Sequence, residues 1–353
     1  MARRRKAHSE RKENVMKITM IGAGGWGTAM VVALAGQHDD VTLWCRREEM
    51  AQKLRADREN KEYLPGVRIP VHVKITSDLK CAATGADCII LCTPSKVVMD
   101  MAERIKPYIK KDVVVVSASK GLADEKGQRL SEGIAGKLQE ITNRIVVLSG
   151  PNHAEEVGLG LPAAAVAASS QKEAVELVQD IFMSPVFRVY RSDDVAGVEY
   201  GGALKNIIAL AGGVLDGIGL GDNSRAALIT RGLVEVARFG VHFGAKRETF
   251  FGLSGLGDMV VTCTSNHSRN HRAGVLLGQG KTVEEICEGT HMIVEGIRTA
   301  LLVNKIAQKE HIDMPITEEV CRLLKGEHTA QEVLENLMTR AKKAEIETYM
   351  GNE

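Results

Sequence analysis

Neither sign of charge dominates this sequence: 46 Lys and Arg stand against 45 Asp and Glu, a formal net charge of +1. A protein that binds nucleic acid or a membrane surface through its field needs a marked basic excess or a basic stripe, so neither partner is indicated. The chain is 44% hydrophobic and 26% charged, the balance of an ordinary globular protein. The charge-free stretch 157–171 is too short to span a membrane and is broken by Pro162, and no membrane helix is expected. No Cys-x-x-Cys pair occurs among the seven cysteines, Cys45, Cys81, Cys88, Cys92, Cys263, Cys287 and Cys321. Their odd number and mostly apolar surroundings fit reduced thiols in a cytoplasm rather than a disulfide framework. The N-terminus carries Arg3, Arg4, Arg5, Lys6, Arg11 and Lys12 without the apolar core of a secretory signal. Residues 1–15 are read as a basic, disordered extension. Repeats at a solenoid period are also lacking.

At 353 residues the chain exceeds what one hydrophobic core usually serves, so two domains are expected. Short β-branched runs at 17–21, 41–44, 88–92, 113–117 and 144–148 alternate with helical patterns, and further strands are predicted at 163–168 and 186–190. The alternation reads as an α/β fold with a doubly wound parallel sheet, its strands apolar on both faces because helices cover both. Beyond 194 the strand signals fade. Helical stretches at 195–216, 225–240, 294–308 and 330–343 follow, so a Rossmann-type domain over 16–194 and an all-helical domain over 195–353 are expected.

The first strand ends in Gly22-Ala23-Gly24-Gly25-Trp26-Gly27, a Gly-x-Gly-x-x-Gly run that leads into a helix over 28–34. Such a run is weak evidence alone and strong evidence between a strand and a helix. Gly22 would allow the tight turn, Gly24 the approach of a pyrophosphate to the backbone, and Gly27 the close packing of helix on strand. About twenty residues on, where an NAD site usually offers an acid to the ribose, stand Cys45-Arg46-Arg47. Two guanidinium groups there suit a 2′-phosphate, so NADP is expected to be accepted as well as NAD. The loops Thr93-Pro94-Ser95 and Ser119-Lys120-Gly121 follow predicted strands and should border the same crevice.

With the glycine run, Ser119-Lys120-Gly121, Ser149-Gly150-Pro151, Lys205-Asn206, Gly255-Leu256-Gly257-Asp258, Ser268-Arg269-Asn270 and Val294-Glu295-Gly296 in this order, the chain resembles bacterial-type NAD(P)-dependent glycerol-3-phosphate dehydrogenases over about 17–324. The resemblance implies a cytoplasmic enzyme, commonly a homodimer, with an N-terminal Rossmann domain and a helical C-terminal domain. It would interconvert dihydroxyacetone phosphate and sn-glycerol 3-phosphate with NADH or NADPH and supply glycerophospholipid synthesis. It also implies that Lys205 transfers the proton, and that Lys120, Gly150, Asp258, Ser268, Arg269 and Asn270 contact the substrate. Gly25, Trp26, Arg46, Arg47, Lys120, Ala154, Arg269, Ile293 and Glu295 would line the cofactor. One position departs from the family: Asn152 stands where Ser or Thr usually follows Gly150-Pro151.

Reduction of a ketone needs a proton donor beside the carbonyl, and the reverse reaction a base at the hydroxyl. On a helix, Lys205 shares its face with Gly201, Gly202, Ala209 and Gly212, which predicts a small-residue trough with room for a three-carbon substrate. Its pKa would have to fall from about 10.4 toward about 7–8, through burial and a second lysine, for which Lys120 is the candidate. Asp258 could orient Lys205 or accept from a substrate hydroxyl, although a glycine-rich turn can carry an aspartate with no such duty. Ser268, Arg269 and Asn270 offer hydroxyl, guanidinium and amide donors suited to a phosphate. Glu295 could equally be a first-turn helix acid.

Three other patterns fall short. Cys263, His267 and His271 are spaced like metal ligands, but Arg269 and Arg272 lie among them. Gly278-Gln279-Gly280-Lys281-Thr282 lacks the first glycine of a phosphate loop, where Val275 stands. Phe251-Gly252-Leu253-Ser254-Gly255 has Leu256 in place of the elbow's second glycine. No metal is therefore expected. The rival enzyme reading, a two-domain NAD(P)-dependent hydroxy-acid reductase, would want a carboxylate clamp instead of Ser-Arg-Asn. A catalytically silent nicotinamide sensor would be expected to lack one of the two lysines.

Overall fold

The computed structural model describes residues 15–288 and 294–345. The basic extension (apart from Val15) and Ile293 lie outside the described residues. The first half is built from β1 (Ile18–Ile21), α1 (Gly25–Ala35), β2 (Val41–Trp44), α2 (Glu48–Asp57), β3 (Glu59–Asn60), β4 (Leu64–Arg68), β5 (Lys74–Thr76), α3 (Leu79–Ala83), β6 (Cys88–Leu91), α4 (Val98–Ile105), β7 (Val114–Ser117), α5 (Leu130–Leu138), β8 (Ile145–Ser149), α6 (Ala154–Gly158), β9 (Ala163–Ala168), α7 (Lys172–Phe182) and β10 (Phe187–Ser192). Eight strands form one sheet in the order β10-β9-β8-β7-β6-β1-β2-β5. Every residue of β1, β2, β6, β7 and β8 is buried, as expected of strands covered on both faces.

The sheet is not wholly parallel. β9 runs antiparallel to β8, with Val147 opposite Ala168 and Ser149 opposite Val166, and β10 runs parallel to β9. The link from β8 to β9 contains only the five-residue α6, which packs on α1 and β4. Without a crossover helix over the sheet, the chain turns back from the end it has just reached. The short β3–β4 hairpin and β5 were also not expected; they carry too few apolar residues to show a period. A charge-free run longer than 157–171, residues 18–38, is divided between β1, the glycine turn and α1. No described helix is long and apolar enough to cross a membrane.

The second half is helical: α8 (Val195–Gly217), α9 (Asp222–His242), α10 (Asp258–Thr264), α11 (Arg269–Gly278), α12 (Val283–Glu288), α13 (Glu295–Lys309), α14 (Pro315–Leu324) and α15 (Ala330–Met338). α8 is its axis, buried along nearly its whole length and flanked by α9, α10, α11 and α13. α15 ends five residues before the expected 343. Arg340 and Lys343 there bond to Asp313 instead of prolonging the helix.

Two ties, one buried and one part-buried, hold the halves together. Glu199, in the second turn of α8, accepts from the Ser131 backbone N–H at 2.9 Å and from the Ser131 hydroxyl, and Arg129 Nη1 lies 3.3 Å away. Glu295, at the start of α13, accepts from the Ser95 N–H at 3.0 Å and from the Ser95 hydroxyl at 2.8 Å. A carboxylate that accepts two bonds from one residue leaves that residue little freedom, so the loop after β6 is pinned to the helical half.

Candidate active site

The glycine turn does what its spacing suggests. Gly22 has φ +122° and lies so close to β6 that a Cβ there would fall 2.9 Å from the Cys92 carbonyl carbon. A Cβ on Gly27 would fall 3.1 Å from the carbonyl carbon of Gly22, so helix and turn could not meet. A Cβ on Gly24, by contrast, would have nothing within 4 Å, which leaves open space at the N-terminus of α1. That helix begins at Gly25, earlier than the expected 28, and no side chain caps it. Its first amides can therefore take an anion. The Thr93 hydroxyl, buried beside Gly22, has no hydrogen-bond partner. These features fit a dinucleotide.

Around that turn, Trp26 packs partly buried against the sheet core, and the Ala154 Cβ lies 3.7 Å from the position of a Cβ on Gly25. An equal distance separates that position from Arg269 Nη2, which reaches over from the helical half. Arg46 and Arg47 are exposed at the end of β2; Arg47 makes one loose pair with Glu62 at 3.5 Å. Both remain able to meet a phosphate. Glu295, expected along the cofactor, has its carboxylate engaged by Ser95, whose hydroxyl also accepts from Arg298 at 2.8 Å.

Lys120, Lys205 and Asp258 come together although 85 and 53 residues separate them in turn. Lys205 Nζ donates to Asp258 Oδ1, and Lys120 Nζ donates to Asp258 Oδ2 at 2.6 Å. Lys120 also reaches the Gly150 carbonyl at 3.3 Å, and Lys205 the Thr262 hydroxyl at 2.6 Å. Asp258 is delivered by a π-helical turn, Leu253–Gly257, that leads straight into α10. Such turns are rare and frequently found at functional sites. This one requires Gly255, whose Cβ would meet the Phe250 backbone at 2.6 Å.

Burial drives the electrostatics. Lys205 is 5% exposed, and desolvation brings its pKa down to about 8, with Asp258 opposing and Lys120 assisting the shift. Burial alone would raise Asp258, but the two ammonium groups hold its carboxyl below the usual range. A lysine whose pKa is lowered to about 8 can give up and regain a proton.

The expected substrate trough is not an open channel. A Cβ on Gly201 would meet the Ser254 carbonyl oxygen at 2.8 Å, and one on Gly202 the Ser149 hydroxyl at 2.6 Å; Gly212 faces Cys263. These glycines admit other protein segments to α8. Ser268 and Asn270 also have internal duties. The Ser268 hydroxyl caps α11, accepting from the His271 N–H at 3.1 Å. The Asn270 amide donates to Asn206 at 2.9 Å and accepts from the Gly296 N–H at 2.8 Å. Arg269 alone of the three is exposed. Asn152 folds back to donate to the Ala164 carbonyl at 3.4 Å, tying the Gly150 loop to β9. Gly150, at φ +155°, leaves no room for a side chain against β9.

Thr262 escaped the sequence reading. It lies one helical turn after Asp258, donates to the Asp258 carbonyl at 2.5 Å and accepts from Lys205. The i, i+4 spacing on α10 was the available signal. Ser95 lies in a loop expected at the crevice, but its pairing with Arg298, 203 residues on, had no such signal.

An open anion turn and a buried lysine of lowered pKa in one molecule belong to an enzyme that moves a proton next to a bound dinucleotide: by class, a two-domain nicotinamide-dependent oxidoreductase. Within that class, residues 17–175 match the N-terminal model and residues 194–335 the C-terminal model of NAD-dependent glycerol-3-phosphate dehydrogenase. The chain belongs to this family. It is 50% identical over 331 residues to glycerol-3-phosphate dehydrogenase [NAD(P)+] of Moorella thermoacetica, covering 94% of this chain and 98% of that one. To the protein of the same name from Carboxydothermus hydrogenoformans it is 46% identical, with the same coverage. The crystal structure of glycerol-3-phosphate dehydrogenase from Coxiella burnetii superposes with a TM-score of 0.87 at 38% identity, covering 92% of this chain and 99% of that one.

Proposed function

We infer that this chain is a glycerol-3-phosphate dehydrogenase [NAD(P)+], an oxidoreductase acting on a CH–OH group that interconverts sn-glycerol 3-phosphate and dihydroxyacetone phosphate. The observation that carries this reading is the Lys205–Asp258–Lys120 cluster, with Lys205 and Asp258 buried, together with the open glycine turn, in a chain that belongs to the family. When bound, the nicotinamide cofactor supplies or takes up the hydride. Lys205 gives the proton to the carbonyl oxygen in reduction and removes it from the hydroxyl in oxidation. Asp258 and Thr262 aim Lys205, and Lys120 keeps its pKa low and faces the substrate oxygen. Gly150 and Asn152 border the substrate, and Arg269 takes the phosphate with the Ser268 hydroxyl proton, on a turn that Asn270 braces. Gly22, Gly24, Gly25, Trp26 and Gly27 would cradle the cofactor with Ala154 and Ile293, and Glu295 would hold the Ser95 loop against it. We assign the cofactor part to 16–194 and the helical part to 195–353, which agrees with β10 ending at Ser192 and α8 starting at Val195. The reading extends to a cytoplasmic homodimer that supplies glycerophospholipid synthesis. The direct test is loss of reduced-nicotinamide absorbance on adding dihydroxyacetone phosphate to the purified protein with NADH or NADPH; no loss with either refutes the activity.

Cofactor choice follows from the β2 end. With Arg46 and Arg47 where an acid would favour NAD, NADPH is expected to be used at least as efficiently as NADH. Arg46→Ala with Arg47→Ala should lower kcat/KM for NADPH by about 10-fold or more, the order of one or two charge-assisted bonds, and change NADH little. A strong NADH preference that persists unchanged in the double variant would remove the arginines from cofactor selection.

A further inference from the structure

We propose that His271 is a positioning residue for phosphate recognition: its bond to Asp216 sets how the first turn of α11 sits on α8, and so where Arg269 stands relative to Lys205. The proposal rests on the reading of Arg269 as the phosphate ligand.

α11 and α8 meet backbone to backbone. A Cβ on Gly213 would come 2.9 Å from the Gly274 Cα, and one on Gly217 2.9 Å from the Gly278 Cα. Paired glycines bring the two helices close. Polar ties fix the neighbouring turns. His271 Nε2 lies 2.8 Å from Asp216 Oδ2, and Arg225 Nη2 from α9 lies 2.6 Å from Asp216 Oδ1. Burial would raise the Asp216 carboxyl, but Arg225 and His271 keep it below the usual range. It is therefore an acceptor only, and His271 Nε2 carries the proton that it shares.

Two further observations separate this histidine from one that merely fills space. Its Nδ1 is buried with no partner, a cost that a hydrocarbon of similar size would avoid. Its backbone N–H is also the donor to the Ser268 cap, so one residue closes the first turn of α11 and ties it down. Arg269 sits between these two fixed points. On the Lys205 side, Asn206 is joined to Asn270. The phosphate arginine and the proton-transferring lysine are thus braced to each other through two hydrogen-bonded pairs, Asn206–Asn270 and Asp216–His271. The histidine itself is 4% exposed.

The experiment compares kcat/KM for dihydroxyacetone phosphate and for unphosphorylated dihydroxyacetone, at saturating cofactor, in the full chain. In His271→Leu, Asp216 keeps Arg225, so no carboxylate is orphaned. We expect the phosphorylated-to-unphosphorylated ratio to fall about 10-fold, the order of one hydrogen bond to a charged group. The loss should lie mainly in KM for the phosphorylated ketone, with cofactor affinity unchanged. His271→Gln, whose amide can donate from nearly the same place, should recover most of the ratio. Should His271→Leu fail to fold, His271→Asn, with the amide one carbon too short, replaces it in the comparison with His271→Gln. An unchanged ratio in a folded His271→Leu or His271→Asn overturns the proposal, as does a His271→Gln that loses as much as they do. Arg269→Lys in the same assay separates the two ideas. If it leaves the ratio unchanged, the phosphate reading falls and this proposal with it; if it lowers the ratio while His271→Leu does not, only the positioning role is lost.

Discussion

Replacing Lys205 by alanine is expected to cut turnover with dihydroxyacetone phosphate by roughly 10²–10⁴-fold, the usual weight of a positioned acid or base, while cofactor affinity stays near normal. The lysine is buried on α8, away from the glycine turn, and its ammonium donates to Asp258 and Thr262. Truncation therefore removes the proton donor without touching α1 or the Gly24 space. The pH dependence gives an independent check. Burial brings Lys205 to about 8. Oxidation needs the neutral amine, so its rate should rise as pH increases through about 8; reduction needs the ammonium, so its rate should fall across the same window. Asp258 acts to raise the Lys205 pKa and Lys120 to lower it. Asp258→Asn should thus move the oxidation profile to lower pH, and Lys120→Ala to higher pH. Near-normal turnover in Lys205→Ala, or profiles that do not move in these opposite directions, would hand the proton to another group, with Lys120 the first to examine.

Arg269→Lys should lose roughly 10²–10³-fold in kcat/KM with dihydroxyacetone phosphate, the cost of leaving one oxygen of the bound, charged phosphate unpaired. A guanidinium can hold two phosphate oxygens in one plane, whereas an ammonium is a point charge on a flexible stem. The substitution keeps the charge and loses the fork. Arg269 stands on the helical half with Nη2 against the glycine turn of the other half, so a phosphate held there would sit between the two halves. Binding energy from this remote group can be used to align the reacting carbon, and part of the loss should appear in kcat. Unphosphorylated dihydroxyacetone, which should already be a poor substrate for the wild type, should be barely affected. Equal ratios of the two efficiencies in wild type and variant would show that Arg269 does not recognise the phosphate.

Much of the architecture was legible before any coordinates. β2 and β9 fall on the expected residues, and β1, β6, β7, β8 and β10 within two residues at either end. Fully buried strands announce themselves as apolar runs between glycine-rich and polar turns. The glycine turn was equally readable, because backbone geometry dictates residue type wherever φ is positive or a Cβ would collide. The reversal of β9 was not, since strand direction depends on where the intervening chain packs and not on the strand's own residues. The glycines around Lys205 misled for a related reason. A small residue signals close approach without saying what approaches, and here it is Ser254, Ser149 and Cys263 rather than substrate.

Residue types are set out along the chain: the Gly22–Gly27 turn on a strand end, an arginine pair in place of an acid, two lysines, an aspartate after a glycine-rich turn, and Ser-Arg-Asn at a helix start. Folding is what makes Lys205, Lys120 and Asp258 one cluster, adds Thr262 to it, engages Asn270 and Glu295 as braces, and joins the halves through Ser95. Local chemistry is written in short windows because backbone strain and capping act over a few bonds. A lowered lysine pKa comes from burial and from charges brought in across long stretches of chain, and it exists only once α8 is enclosed.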